Sequence, residues 1–339
     1  VSKPKILAYL TGFVLGCLIL LAIPREKKQP RVHPWHEQTA PLGYYPLEVT
    51  DDYGREIVLK KQPRWVISLA PSITEILFAL EMGDHLLAVT DWCAFPEEAR
   101  KLRDAGASVG RMDAPDRERM ATYAADLVLG TNLTPPEVYQ ALESDGRRPA
   151  LALAHDDYAD VREDIKAIGR ILGVPGKALR LLQKLDGHKA RIEAQIEPFL
   201  QQPKPRVLLL LSIEDGQQPG WTPGRSTWIH DLIEASHAIN AAADVGNAWG
   251  QVSFENLLKM DPEILLIREA ESASASSALD GIIHSLGSHP VWSQVSAVRN
   301  GRVHRIPNGP LSIPGPRAMQ AYESIARAIW LPESTPAKP

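Results

Sequence analysis

The sequence predicts an α/β protein of two lobes, each built on a central, mainly parallel sheet, joined by a long backbone helix and preceded by a transmembrane anchor. Three observations carry this. From residue 47 on, short apolar runs alternate with helical patterns, the layering of a parallel sheet covered by helices. The stretch 157–200 reads as almost continuous helix between two such series. Near the start lies an uncharged apolar run, Ile6 to Ile23. The chain of 339 residues also exceeds what one hydrophobic core usually holds.

Taken in order, Ile6 to Ile23 is flanked by Lys3 and Lys5 before and by Arg25, Glu26, Lys27 and Lys28 after. At helical rise it spans about 27 Å, close to a bilayer's hydrocarbon core. Residues 1–23 are therefore expected to be an uncleaved membrane anchor. Val14-Leu15-Gly16-Cys17 offers the alternative of a lipoprotein signal acylated at Cys17. Residues 24–46, rich in Pro, His and charge, read as a tether in which His33 and His36 are solvated. The first lobe is expected over 47–156. It has strands at Trp65–Leu69, Leu86–Thr90, Asp126–Leu129 and Ala150–Leu153, and a helix capped by Ser72 and stopped at Gly83. The linking helix, 157–200, is interrupted at Gly173-Val-Pro-Gly176, with Leu179, Leu182, Leu185, Ile192 and Ile196 on one face. The second lobe, 201–330, has strands at Arg206–Leu211, Glu263–Ile267 and Arg302–Ile306, and 331–339 is a flexible tail.

Composition narrows the function. Hydrophobic residues are 44 % and charged residues 23 %, which excludes a wholly disordered chain and a polytopic membrane protein. A net charge of −4 leaves no basic field for nucleic acid, and two cysteines build no disulfide scaffold. The ten histidines are scattered without metal-ligand spacing, so bare zinc or manganese is discounted. His85, His237 and His304 read as structural histidines with satisfied ring nitrogens, and Trp65, Trp228, Trp292 and Trp330 as core. His155 and Asp156-Asp157 are the only candidates for a general base, as in a metallochelatase-like enzyme. No nucleophile–base pair or phosphate loop accompanies them, and a binding protein is the better reading.

A weak internal repeat joins the two series. Glu118-Arg-Met-Ala-Thr-Tyr-Ala-Ala-Asp126-Leu-Val-Leu parallels Glu255-Asn-Leu-Leu-Lys-Met-Asp-Pro-Glu263-Ile-Leu-Leu. In each, a glutamate in a first helical turn precedes the acid that opens a strand.

Ser68-Leu-Ala-Pro71-Ser-Ile-Thr-Glu75, Val89-Thr-Asp-Trp-Cys-Ala-Phe-Pro96 and the two glutamate–helix–strand units resemble one family. It is the helical-backbone class (class III) of ABC-importer substrate-binding proteins, which serve cobalamin, iron–siderophores and haem. Val49-Thr-Asp-Asp-Tyr-Gly-Arg55 is similar to the β-ribbon that opens such domains. The resemblance runs from about Leu47 to Trp330 and is nearest to the cobalamin binders. It implies a periplasmic or extracytoplasmic, membrane-tethered monomer that delivers a corrinoid to an ABC permease dimer, with the corrinoid as transported ligand and no resident cofactor. Trp92, Trp221 and Trp249 fall where the family places aromatics against the corrin ring, in Gly- and Pro-rich segments read as loops. Met112 stands where a cobalamin binder carries tryptophan. Asp91, Arg111, Asn247 and Gln251 supply polar contacts for a macrocycle with amide arms. Glu118 and Glu255 match the family's pair of permease-docking glutamates. Arg111, Arg225 and Arg317 are the cations that a ferric siderophore would use instead, while haem would call for a Tyr or His axial ligand. Cys93, next to Trp92, is expected to be either a reduced thiol shielded by ligand or a small buried hydrophobe.

Overall fold

The computed structural model describes residues 45–144, 148–153, 157–214, 217–246, 248–269 and 273–331. The expected anchor (1–23), the tether as far as residue 44, and the tail beyond 331 lie outside the described residues, as do His155, Asp156 and Asn247. Among the described residues no helix is long and apolar enough to cross a membrane. The chain divides into two compact units, with the boundary between Leu185 and Asp186.

The first unit opens with an antiparallel ribbon, β1 (Leu47–Thr50) and β2 (Glu56–Leu59). Asp51 organises its turn: Oδ1 accepts the N–H groups of Tyr53 and Arg55, both at 3.0 Å, and its carboxylate pairs with the Arg55 guanidinium. Oδ2 also accepts the Ala152 N–H at 3.0 Å, and Asp52 N–H donates to the Ala152 carbonyl. The sheet comprises β3 (Val66–Ser68), β4 (Leu86–Ala88), β5 (Leu127–Gly130) and β6 (Ala150–Ala152), all parallel, in the order β4-β3-β5-β6. Its strands are apolar throughout because helices cover both faces. Between them run α1 (Pro71–Ala79), α2 (Glu97–Asp104), α3 (Arg117–Ala121) and α4 (Pro136–Ser144).

Ser72 does not cap α1. The N-cap is Ala70, without a side-chain bond, and Pro71 starts the helix, where a missing N–H costs nothing. Ser72 is buried in the first turn, and the helix ends at Ala79, before Gly83.

The linking region forms α5 (Tyr158–Ile171) and α6 (Pro175–Ile196). Asp157 starts α5 by accepting the Asp160 N–H at 2.8 Å in a capping box. The break falls at the expected place, with Gly173 at φ +69° and Pro175 opening the next helix. Leu182, Leu185, Ile192 and Ile196 are buried, but Leu179 is 58 % exposed. Ala178 turns inward instead, because α5 approaches so closely there that a Cβ on Gly169 would lie 2.5 Å from the Ala178 methyl.

In the second unit β7 (Arg206–Leu210), β9 (Ile239–Asn240), β11 (Ile264–Arg268) and β12 (Val303–Ile306) form a parallel sheet in the order β12-β11-β7-β9. A separate antiparallel ribbon joins β8 (Trp221–Pro223) and β10 (Trp249–Gln251). The helices are α7 (Trp228–Ala235), α8 (Phe254–Met260), α9 (Ala273–Ser285), α10 (Ser296–Arg299), α11 (Asn308–Ser312) and α12 (Ala318–Trp330). Trp292 is fully buried in this core and donates its indole N–H to the Gln217 carbonyl. Trp228 is buried as well, whereas Trp65 and Trp330 are only half-buried.

Counted along each chain segment, both sheets have the same strand order, second–first–third–fourth. The repeat seen in the sequence therefore has a structural counterpart. Asp126 Oδ2 accepts the N–H groups of Arg64 and Trp65, where the chain enters the first strand of its sheet. Glu263 Oε2 does the same for Arg206 N–H in the second sheet.

Burial alone pushes the Asp126 carboxyl up, but the Arg64 and Trp65 N–H groups and Lys61 outweigh it and hold it below the ordinary value. A depressed folded-state pKa contributes stability above the unfolded value, about 3.9, that is lost as pH falls through the folded value. Asp126→Asn should therefore flatten the fall in urea-unfolding free energy between pH 5 and pH 2.5. An unchanged slope would show that this carboxylate does not link folding to pH.

Candidate functional site

In the first unit the candidate residues gather on two adjoining segments. Beyond β4 the chain keeps bonding to the segment 107–110: Val109 N–H donates to the Val89 carbonyl at 2.8 Å and Asp91 N–H to the Gly110 carbonyl at 2.9 Å. Asp91 Oδ1 accepts the Ser108 hydroxyl, and its carbonyl accepts the Arg103 guanidinium at 3.1 Å. Gly110, at φ +83°, turns the second segment so that Arg111 lies 5.8 Å from the centroid of the half-buried Trp92 ring. Such a contact is a cation–π geometry.

Arg111 is chelated by Asp113, with Nε to Oδ1 at 2.8 Å. The pair raises the arginine and holds Asp113 below the usual carboxylate range, despite the opposing effect of partial burial on Asp113. Met112 is buried at 7 % exposure, and its carbonyl accepts the Thr134 hydroxyl. It backs this surface instead of projecting from it.

In the second unit the structure brings Trp221, Trp249 and Gln251 together on strands rather than loops. Gln251 is directly paired with Trp221, and Trp249 with Pro223. Residues paired or two apart share a face, so the two indoles and the amide lie on one side of the ribbon. The other side packs inward: Thr222 is fully buried and donates to the Leu209 carbonyl at 2.8 Å. Gly250 is required there, since a Cβ would lie 2.5 Å from the Val245 carbonyl oxygen. The ribbon hangs from the C-terminal end of β7 through Leu211 N–H to the Trp221 carbonyl, 2.8 Å. Gln251 Nε2 reaches Glu214 at 3.4 Å.

Glu118 and Glu255 occupy matching positions, the second helical residue of α3 and of α8, and both are exposed. Their helices are capped by Asp116 and Ser253, each two residues before its glutamate. The helices lead into β5 and β11, the third strand of each sheet.

Two residues near these surfaces escaped the sequence reading. Phe95 is 44 % exposed, three residues from Trp92, and its place beside Pro96 in the same segment was the available signal. Arg268 closes β11, donating Nε to the Leu211 carbonyl at 3.0 Å and Nη1 to Ser312 Oγ at 3.3 Å. A charge ending an apolar strand run was its only mark. Conversely, Arg225 lies in an exposed pair with Asp244 at 2.6 Å and lines a separate polar groove of about 670 Å³ beside β9, which shares no residue with the ribbon.

The histidines are structural in part. His85 bonds to the Arg64 carbonyl and His237 to that of Gln202. His304 is not satisfied as expected: burial lowers its pKa, and its buried Nε2 has no partner among the described residues. Asp157, one of the candidate bases, serves as the cap of α5. No three His, Cys, Asp or Glu side chains come together to hold a metal among the described residues.

The sequence profile of the periplasmic binding protein family matches residues 66–310. The chain belongs to that family. An ABC transporter substrate-binding lipoprotein of Bacillus subtilis, YvrC, is 26 % identical over 289 residues, covering 84 % of this chain and 86 % of that protein. A vitamin B12-binding protein of Pectobacterium atrosepticum is 29 % identical over 227 residues, 63 % of this chain and 75 % of its own. Among solved structures, the apo periplasmic haem-binding protein RhuT of Roseiflexus sp. RS-1 superposes with a TM-score of 0.65 at 25 % identity, covering 79 % of this chain and 98 % of that one.

Cys93 of this periplasmic binding protein resolves one of the alternatives. Its side chain has no solvent exposure and sits against the hydroxyls of Thr74 and Thr90, with Sγ–Oγ1 distances of 3.1 and 3.3 Å. Burial pushes the thiol pKa up, so thiolate is scarce. The lobe itself does the shielding that was expected of a ligand. In a Cys17→Ser background, Cys93 should resist a maleimide equally with and without ligand and react once urea unfolds the chain. Fast labelling of the folded protein would contradict this packing.

Proposed function

We propose that this chain binds a corrinoid and delivers it to an ABC importer. That it is an ABC transporter substrate-binding protein of the extracytoplasmic type, not an enzyme, follows from its family and relatives. The observation that carries the ligand class is the ribbon with Trp221, Trp249 and Gln251 on one face. Two indoles beside an amide offer broad apolar contact at little entropy cost, together with a hydrogen-bonding partner for amide arms. Trp92, Asp91 and Arg111 are the corresponding contribution of the first lobe, with Met112 behind them and Asn247 beside Trp249 in sequence. The vitamin B12-binding relative supports this choice.

The arginines nominated for an anionic siderophore speak against that ligand. Arg111 is held by Asp113 and Arg225 by Asp244, so their charge is locally balanced. A neutral macrocycle leaves both pairs intact. Haem is the second reading, favoured by the likeness to RhuT.

Calorimetry of the full chain in detergent with cyanocobalamin, haemin and ferrichrome tests the reading. One cyanocobalamin per chain is expected, recovered chemically unchanged, and Trp92→Ala, Trp221→Ala or Trp249→Ala should each weaken binding by about 1–3 kcal/mol. Saturation by haemin or ferrichrome but not by cyanocobalamin would overturn it.

Glu118 and Glu255 are assigned to the permease, one contact per subunit of a dimer. Their exposure and matched positions in a repeated unit support this, and the helix dipole keeps each carboxylate ionised. Rim charges of this kind set orientation and association rate and are screened by salt. Glu118→Ala combined with Glu255→Ala should leave ligand affinity intact and abolish uptake of labelled corrinoid in cells carrying only that variant. Normal uptake at physiological salt would remove the docking assignment.

A further inference from the structure

Parallel sheets bind ligands beyond the carboxyl ends of their strands, at the point where successive connections leave in opposite directions. In the second lobe that point lies between β7 and β11, because the chain passes from β7 to β9 on one side and returns to β11 on the other. Arg268 is the last residue of β11 and stands at this switch point.

Its guanidinium is fixed from both sides. Nε donates to the carbonyl of Leu211, just past the end of β7, and Nη1 to Ser312 Oγ, which in turn donates to Asn308 Oδ1 at 2.6 Å. The same Leu211 uses its N–H to hold the Trp221 carbonyl. Arg268 is thus one residue's width from the aromatic ribbon, with its orientation set by the strand that carries the ribbon. The first lobe has no counterpart. Counting from the acid that opens the third strand, Arg268 follows Glu263 by the same offset at which Thr131 follows Asp126, and Thr131 is buried. A planar, permanently charged fork held at a ligand-facing sheet edge suits a phosphate or carboxylate oxygen.

We propose that Arg268 is a specificity-determining residue that receives the anionic arm of the ligand, and that the ligand is therefore a complete corrinoid bearing its phosphodiester-linked nucleotide. This rests on the corrinoid reading. Truncated corrinoids such as cobinamide lack that phosphodiester and gain nothing from the arginine. Paired cations elsewhere on the candidate surfaces leave discrimination between the two classes to Arg268.

The test is calorimetric titration of the full chain in detergent with cyanocobalamin and with dicyanocobinamide, for the wild type, Arg268→Gln and Arg268→Lys. Far-UV circular dichroism and the melting temperature check folding. Arg268→Gln should raise the Kd for cyanocobalamin on the order of ten- to a hundredfold, the scale of a hydrogen bond to a charged group. Binding of dicyanocobinamide should stay within about twofold, since specificity is the difference between the two affinities. Arg268→Lys should recover part of the loss, and the cyanocobalamin affinity of the wild type should fall with salt more steeply than that of Arg268→Gln.

Equal weakening of both corrinoids without rescue by lysine would show that Arg268 only supports the ribbon and would overturn the proposal. So would a Gln variant that binds both as the wild type does. A wild type that binds neither corrinoid overturns the corrinoid reading and this inference with it. If haemin then binds and Arg268→Gln weakens it, the anion read is a carboxylate.

Discussion

Both sheets depend on one interaction, a carboxylate at the start of the third strand that receives the backbone N–H where the chain enters the first. Parallel strands covered on both faces leave their backbone ends to be satisfied locally, since an unpaired buried polar group costs as much as a lost hydrogen bond. Asp126 answers Arg64 and Trp65, and Glu263 answers Arg206. Adjacent strands one and three are thereby registered before any helix packs on them. The switch points that face ligand, and the short helices carrying Glu118 and Glu255, all follow from that register.

Much of this was legible because the parallel strands are buried on both sides. Arg206–Leu211 and Glu263–Ile267 read as strands for the same reason that they fold as strands, a continuous apolar run too short for a core helix. The break at Gly173–Gly176 was equally plain, since a glycine at positive φ followed by a proline ends one helix and starts the next. Helix caps were less so. Ser72 has the side chain of a cap, yet Pro71 takes the first helical position one residue earlier and leaves the serine inside the turn. Leu179 failed because periodicity reports the stripe but not its phase: Ala178 faces the close crossing at Gly169, and the stripe 178-182-185-192-196 runs one residue ahead of the leucine.

The candidate surfaces were legible as residue types and not as geometry. Trp221 and Trp249 were expected from loops because glycine and proline surround them, but those residues serve a two-stranded ribbon in which Gly250 lets the strand sink against Val245. Pairing is a long-range property, and no local signal places Gln251 opposite Trp221. Arg111 and Arg225 looked available for an anion until Asp113 and Asp244 were found against them. Arg268 was invisible because its role comes from a neighbouring strand far away in sequence.

The contacts made by Asp51, Asp52 and Glu234 bear on how such sheets survive outside the cytoplasm. β6 and β9 are outermost strands of their sheets, and an outermost strand offers a row of unused backbone groups on which a second chain can add. Ala152 gives its N–H to Asp51 and its carbonyl to Asp52 N–H. Asn240 N–H is directed at Glu234 Oε1, 3.3 Å away. In both places a carboxylate occupies the template that aggregation would use, so these acids guard solubility where no cytoplasmic chaperone is at hand.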